Sequence, residues 1–386
     1  MRLAYITMED PADRIGWSGL NYFMARALTE AGCELVPLFG FRQARPTSAM
    51  VRKIGARIFL RRFHGIGRET AVLENYARQI KPRIDAAKVN AVLANGTTLT
   101  SHLRPACPMF FWTDATVPAL FKLYPGYDRW TRSSSRLAHE ADCRALANAT
   151  AAFYSSAWAA ESAVRDLGAD PTKVHVVPFG ANLEREPAAE EALAAARARA
   201  TDRLVLLFAG VQWERKGGAK AVAVAEALHA AGVPVELRIL GIDRPPTTSP
   251  HILTLGRVSK NTDDGCRRIA EQFAQCHFLL LPTIADCTPV VFAEAGAWAM
   301  PVVTHRVGGI PSQIVDERNG RMFDPAAPAG EIAAWISAVW RDQPRYLRLA
   351  AASRHEYETR LNWRAAAAQA VGIMQQHLAR PTAHVR

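Results

Sequence analysis

Short apolar runs alternate with helical patterns along nearly the whole 386-residue chain, and this alternation restricts the fold more than any other feature. In the first half the strand candidates are Arg2–Thr7, Glu34–Phe39, Ala91–Asn95, Met109–Asp114, Ala151–Ser155 and Val174–Phe179. In the second half they are Leu204–Val211, Val235–Gly241, Ile252–Gly256, Phe278–Pro282 and Pro301–His305. Strands interleaved with helices fold as parallel sheets covered on both faces, the α/β class. Two series in succession predict two doubly wound, Rossmann-like domains, and a chain of this length exceeds one ordinary core. The expected division is 1–182, an Ala/Glu/Arg-rich linker over 183–203, a second domain over 204–362, and a closing helix from 363 that crosses back. Ligands of such sheets sit beyond the carboxyl ends of the strands, so the site is expected in a cleft between the domains.

The net charge of +11 points to anionic partners. No two of the six cysteines are spaced as CxxC, which argues against a disulfide framework and a zinc site and for a reducing compartment. MRLAYIT reads as a first strand and not a leader, and no run is long and apolar enough to span a bilayer, so a cytoplasmic location is expected. The most lopsided charge lies between Arg42 and Arg68, eight cations without an acid. Arg52, Arg57, Arg61 and Arg62 alternate there with Val51, Ile54, Ile58, Phe59, Leu60 and Phe63 in a helical repeat. A basic amphipathic helix suits an anionic membrane surface, at the inner face of the membrane. A solvated helix is the plainer reading, and no nucleic-acid motif supports a third.

Between Ile284 and Val303 only Asp286 and Glu294 carry charge, inside a nearly all-apolar strand, turn and helix. An ionised carboxylate there needs a partner or a wet cavity. Pro289 is expected in the first helical turn with Cys287 or Thr288 capping it, and both acids are expected to look into one cleft. Upstream, Gly210 ends a strand while Gly217 and Gly218 begin a helix, so Arg215 and Lys216 crowd the positive end of that helix. That crowding makes sense if a phosphate binds there. Leu255–Val258 ends another strand and can flank a nucleotide base, Gly16, Ser18 and Gly19 form a tight strand-to-helix turn, and Asp114 follows an aromatic strand.

GVQWERKGG, the Asp286/Glu294 pair, PVVTHRVGGIPSQIVDERNGRMF and VVPFGANLE together resemble the retaining glycosyltransferase family 4, over nearly the whole chain. The resemblance implies the GT-B fold and a nucleotide-sugar donor. It implies that Glu294 binds the ribose hydroxyls, Asp286 touches the donor sugar, Lys216 holds the diphosphate, and Ser18 and Gly19 face the diphosphate from the other domain. It implies retention of configuration by same-face attack, with the departing phosphate taking the acceptor's proton, so neither a metal nor another cofactor is expected. Lys216, Asp286 and Asp114 are the catalytic candidates. Arg215, Val258, Glu294, Ser18, Gly19 and the Cys287–Pro289 turn are the donor-binding ones. Arg52, Arg57, Arg61 and Arg62 are assigned to a membrane or acceptor surface, the acceptor being a lipid-linked or cell-surface glycan precursor. Two departures stand out: the first motif acid is usually Glu, and Val211 stands where Arg is common, a charge Arg215 can replace. A nucleotide-sugar 2-epimerase of the same fold and an inactive binding relative are the competing readings.

Overall fold

The computed structural model describes residues 1–14 and 16–379. It divides into two compact units, Met1–Pro178 with the chain from Ala366, and Phe179–Ala365.

Unit 1 is built on β1 (Arg2–Ile6), β2 (Glu34–Leu38), β3 (Ala91–Asn95), β4 (Met109–Thr113), β5 (Ala151–Tyr154) and β6 (Val174–Val176). All pair in parallel, in the order β2-β1-β3-β4-β5-β6. Its helices are α1 (Leu20–Glu30), α2 (Thr47–Phe59), α3 (Thr70–Ala87), α4 (Val117–Leu123), α5 (Arg132–Asn148) and α6 (Ala157–Leu167). The four inner strands are almost wholly buried, with runs such as Phe110–Trp112, the signature of a sheet covered on both faces.

Unit 2 repeats the scheme with β7 (Leu204–Ala209), β8 (Val235–Leu240), β9 (Ile252–Gly256), β10 (Phe278–Leu281), β11 (Val302–His305) and β12 (Gly320–Phe323). The parallel order is β12-β11-β10-β7-β8-β9, so the strand order reverses between β7 and β10. Crevices at such reversals are where doubly wound sheets bind ligands. Its helices are α7 (Ala189–Ala198), α8 (Trp213–Lys216), α9 (Gly218–Ala230), α10 (Asp263–Gln275), α11 (Val290–Ala297), α12 (Ala329–Arg341) and α13 (Gln343–Thr359), followed by α14 (Trp363–Ala379). Each unit holds its own apolar core, Leu204–Phe208 with Leu279–Leu281 in unit 2 and Val92, Phe111 and Tyr76 in unit 1.

Two features differ from the sequence expectation. The segment 183–203 carries α7, whose Ala192 and Ala196 bury against Ala299 and Ala350, because an alanine-rich helix can approach its neighbours closely. Arg199, just after it, donates to the carbonyls of Phe273, Ala274, Trp298 and Ala299 from a buried position. The short strand β12 joins the sheet edge, its backbone admitted by Gly320, where a Cβ would stand 2.2 Å from the Val302 carbonyl oxygen. Where the chain enters and leaves unit 2, Trp363 Nε1 donates to Asn182 Oδ1 at 2.8 Å and the Phe179 and Trp363 rings meet. Among the described residues no helix is long and apolar enough to cross a membrane.

Candidate functional site

The loops after β7 and β10 are brought side by side by the pairing of those strands. After β7 the chain turns through Gly210 into α8, then reverses at Gly217, whose φ of 76° and close approach to Pro282 both demand glycine. A Cβ on Gly217 would stand 1.9 Å from the Pro282 carbonyl oxygen, and one on Gly218 2.2 Å from the Trp213 ring. The Arg215 carbonyl accepts from Ile284 N and from Thr283 Oγ1, both at 2.9 Å, locking the two loops together.

This lock delivers Lys216 and Arg215 to one carboxylate. Lys216 Nζ donates to Asp286 Oδ2 at 2.5 Å, and Arg215 Nη1 donates to the same oxygen at 3.1 Å and to the Ala285 carbonyl at 2.7 Å. Arg215 Nε also donates to Gln212 Oε1. Two cations against one carboxylate leave a net positive charge, in side chains that are only about a tenth exposed for Asp286 (10%) and Lys216 (12%). A positive, partly desolvated cluster at a strand-order reversal has the chemistry that suits an anion.

Glu294 lies on α11 and is buried, as its all-apolar helix requires. Its partner is Lys260, whose Nζ donates to Glu294 Oε1 at 2.5 Å and to the Asn182 carbonyl at 3.4 Å. Lys260 was not among the sequence candidates. It is carried by the loop after β9, which closes over the start of α10 because Gly265 admits the Ser259 carbonyl where a Cβ would stand 1.9 Å away. The two acids therefore occupy separate ion pairs. Val258, two residues earlier, packs half-buried against the core of unit 2.

The Cys287–Pro289 turn differs from expectation. Pro289, rather than Cys287 or Thr288, is itself the N-cap residue of α11, with a ψ of 111°. Cys287 and Thr288 are buried in the turn. His305 Nδ1 lies 3.3 Å from the Thr283 carbonyl, and Gln313 Nε2 donates to the Pro289 carbonyl at 3.2 Å. Burial pushes the His305 imidazole below its ordinary value, partly opposed by that carbonyl. Lys220, in the first turn of α9, donates to the Ala327 carbonyl at 2.7 Å.

The remaining candidates belong to unit 1. Ser18 and Gly19 follow β1 in a strained turn, with φ of 59° and 84°, ahead of α1. Asp114 follows β4 directly and is half-buried. Of the basic set, Arg57, Arg61 and Arg62 are exposed. Arg52 is exposed as well, but two nitrogens of its guanidinium donate to the two oxygens of Glu69, at 3.1 and 2.9 Å, because that buried carboxylate also holds His64 and needs a cation.

Two six-stranded parallel sheets, each flanked by helices, define the GT-B fold. Residues 203–342, which include Lys216, Lys260, Asp286 and Glu294, match the family described as glycosyl transferases group 1. D-inositol 3-phosphate glycosyltransferase of Xylanimonas cellulosilytica is 30% identical over 237 residues, which is 56% of this chain and 54% of that one. The chain spans about half the length of the curated relatives it matches. Sucrose-phosphate synthase from Thermosynechococcus elongatus superposes with a TM-score of 0.72 at 16% identity, covering 98% of this chain and 99% of that one. HepE of Anabaena in complex with UDP-glucose superposes with a TM-score of 0.63 at 13% identity, covering 97% and 100%.

Proposed function

We propose that this protein transfers a sugar from a nucleotide-sugar donor to an acceptor, with retention of anomeric configuration and without a metal. The observation that carries the reading is the convergence of Lys216 and Arg215 on Asp286 at the strand-order reversal of unit 2. Departure of a nucleoside diphosphate places growing negative charge on its phosphate oxygens, and pre-placed cations there contribute a few kcal/mol each, about 3–4 for one well-aimed donor. Lys216 and Arg215 supply that charge stabilisation, Arg215 in place of a cation at Val211. Asp286 then faces the donor sugar, and Glu294, with Lys260 on its other oxygen, grips the ribose hydroxyls. The turn at Cys287–Pro289 and Val258 complete the nucleotide seat. The fold neighbour solved with UDP-glucose supports a nucleotide-sugar donor.

The acceptor is a lipid-linked or cell-surface glycan precursor, held on unit 1 with Asp114 as its hydrogen-bonding acid. Unit 1 meets an anionic membrane surface through α2, whose apolar side chains are exposed. The relatives' names make inositol phosphate the first soluble acceptor to assay alongside lipid-linked ones.

The test is transfer from UDP-glucose and related donors, with and without EDTA. Lys216→Ala and Glu294→Ala are each expected to lower kcat/KM by about a hundredfold or more. Wild-type kcat/KM in both variants would remove the assignment. Free sugar released from donor alone, at the rate seen with acceptor, would favour the epimerase reading.

A further inference from the structure

We propose that unit 1 carries a built seat for the phosphate headgroup of a bilayer lipid, at the end of α2 and distinct from the donor seat of unit 2. It rests on the reading of α2 as membrane-facing and adds to it a defined pocket. A cavity of about 970 Å³ opens between the end of α2 and the 125–130 loop. Five cations line it, Lys53, Arg57, Arg61, Arg62 and Arg129, and no acidic side chain does. Lys53, Arg57, Arg61 and Arg129 make no ion pair with any described residue, so their mutual repulsion is relieved only by a ligand or by salt.

The walls are fixed. Phe63 N donates to the Arg129 carbonyl at 2.8 Å and Thr131 N to the Phe63 carbonyl at 2.9 Å, a short parallel bridge joining the two segments. Arg62 Nη1 donates across the same junction to the carbonyls of Asp128 and Trp130. The Tyr127 and Trp130 rings stack 5.3 Å apart, and Phe63 meets Trp130 at 5.1 Å, giving the cavity an aromatic floor. Gly65 lets Trp130 lie there, since a Cβ would meet its ring at 2.9 Å.

The surroundings choose the source of the phosphate. Ile54, Ile58, Phe59 and Leu60 stand exposed beside the cavity, Phe59 to 83%. Apolar side chains around a cationic, aromatic-floored hole match the headgroup level of a bilayer, where acyl chains and phosphates lie within one side-chain length of each other. A free anion or a nucleic-acid backbone would have no use for that apolar rim.

The experiment is co-sedimentation of the full chain with phosphatidylcholine vesicles with and without phosphatidic acid. Arg61→Asn with Arg129→Gln is expected to weaken binding to the anionic vesicles about tenfold, while Arg42→Gln with Arg45→Gln, equal in charge but outside the cavity, changes it less than about twofold. Asn at 61 tolerates the positive φ of that position. Soluble dihexanoyl phosphatidic acid should displace the vesicles at concentrations where inorganic phosphate does not. Equal losses in both arginine pairs would overturn the seat in favour of diffuse charge. Displacement by inorganic phosphate alone, or more efficiently by a single-stranded oligonucleotide, would overturn the lipid source. If Ile54→Ser with Ile58→Ser abolishes binding while the Arg61/Arg129 pair keeps it, the membrane reading stands and the seat falls. If no variant matters, both fall.

Discussion

That Arg215 and Lys216 crowd one helix mouth was readable at the residue scale, because the glycines and the cations sit within one short motif, whereas their convergence on one oxygen of Asp286 was not. Lys260 was not readable, since its meaning lies in a contact with Glu294 across 34 residues that no local pattern encodes. His277 is a similar case. Its Nδ1 accepts from Val205 N at 3.0 Å and its Nε2 donates to the Ala200 carbonyl at 2.8 Å, so the ring is buried neutral between two segments. Burial pushes its pKa from 6.5 down to about 4. Between those values the unfolded chain binds the proton and the folded chain does not, so stability is lost as pH falls from 6.5 towards 4. The change amounts to roughly 3 kcal/mol if fully expressed. Denaturant titrations across that window should show His277→Gln, which keeps one acceptor and one donor, losing less stability on acidification than the wild type. Parallel pH profiles in the two proteins would discount the role of His277.

At the scale of elements, the run Ala91–Asn95 was legible to the residue because buried parallel strands are uninterrupted apolar segments bounded by turns. β12 was not, since Gly-Arg-Met-Phe lacks β-branched residues and enters the sheet only by pairing with β11. The helix within 183–203, a segment expected as a linker, was not read, yet small side chains are what lets α7 pack against α13. Pro289 was expected inside α11 and caps it instead, an exchange of one position that leaves Glu294 on the same buried face. The α8–α9 corner is the element on which the proposed donor seat depends. Gly217→Ala would add the cost of a positive φ, about 1–2 kcal/mol, to a clash with the Pro282 carbonyl that cannot move without shifting the loop after β10. A loss of about 2–4 kcal/mol is expected, read as a lowered Tm, together with weakened UDP binding because Lys216 is the preceding residue. Unchanged Tm and UDP binding would mean that the corner is not held as described.

Over the whole molecule the positive charge is divided very unevenly. Unit 1 with the chain from Ala366 contains 25 basic and 15 acidic residues, and unit 2 contains 22 and 21, which together make up the 47 and 36 of the chain. The excess of +11 thus falls almost wholly on the unit that carries α2, while unit 2 is nearly neutral and concentrates its charge locally at Lys216, Arg215 and Lys260. Composition alone pointed to anionic partners without saying where they bind, and the uneven division of charge fits the two separate seats proposed above. Salt distinguishes them, because exposed charges are screened over about 8–10 Å whereas half-buried pairs are screened much less. Raising salt from low to physiological strength should weaken association with phosphatidic acid vesicles by more than about tenfold, as the polybasic surface loses its attraction. The same change should alter the Kd for UDP by less than about threefold, since Lys216 and Asp286 are mostly withdrawn from solvent. Vesicle co-sedimentation and a UDP titration run in matched buffers read both. Equal slopes against salt would place both anions on one exposed basic surface, and the separation of a donor seat in unit 2 from a lipid seat in unit 1 would not hold.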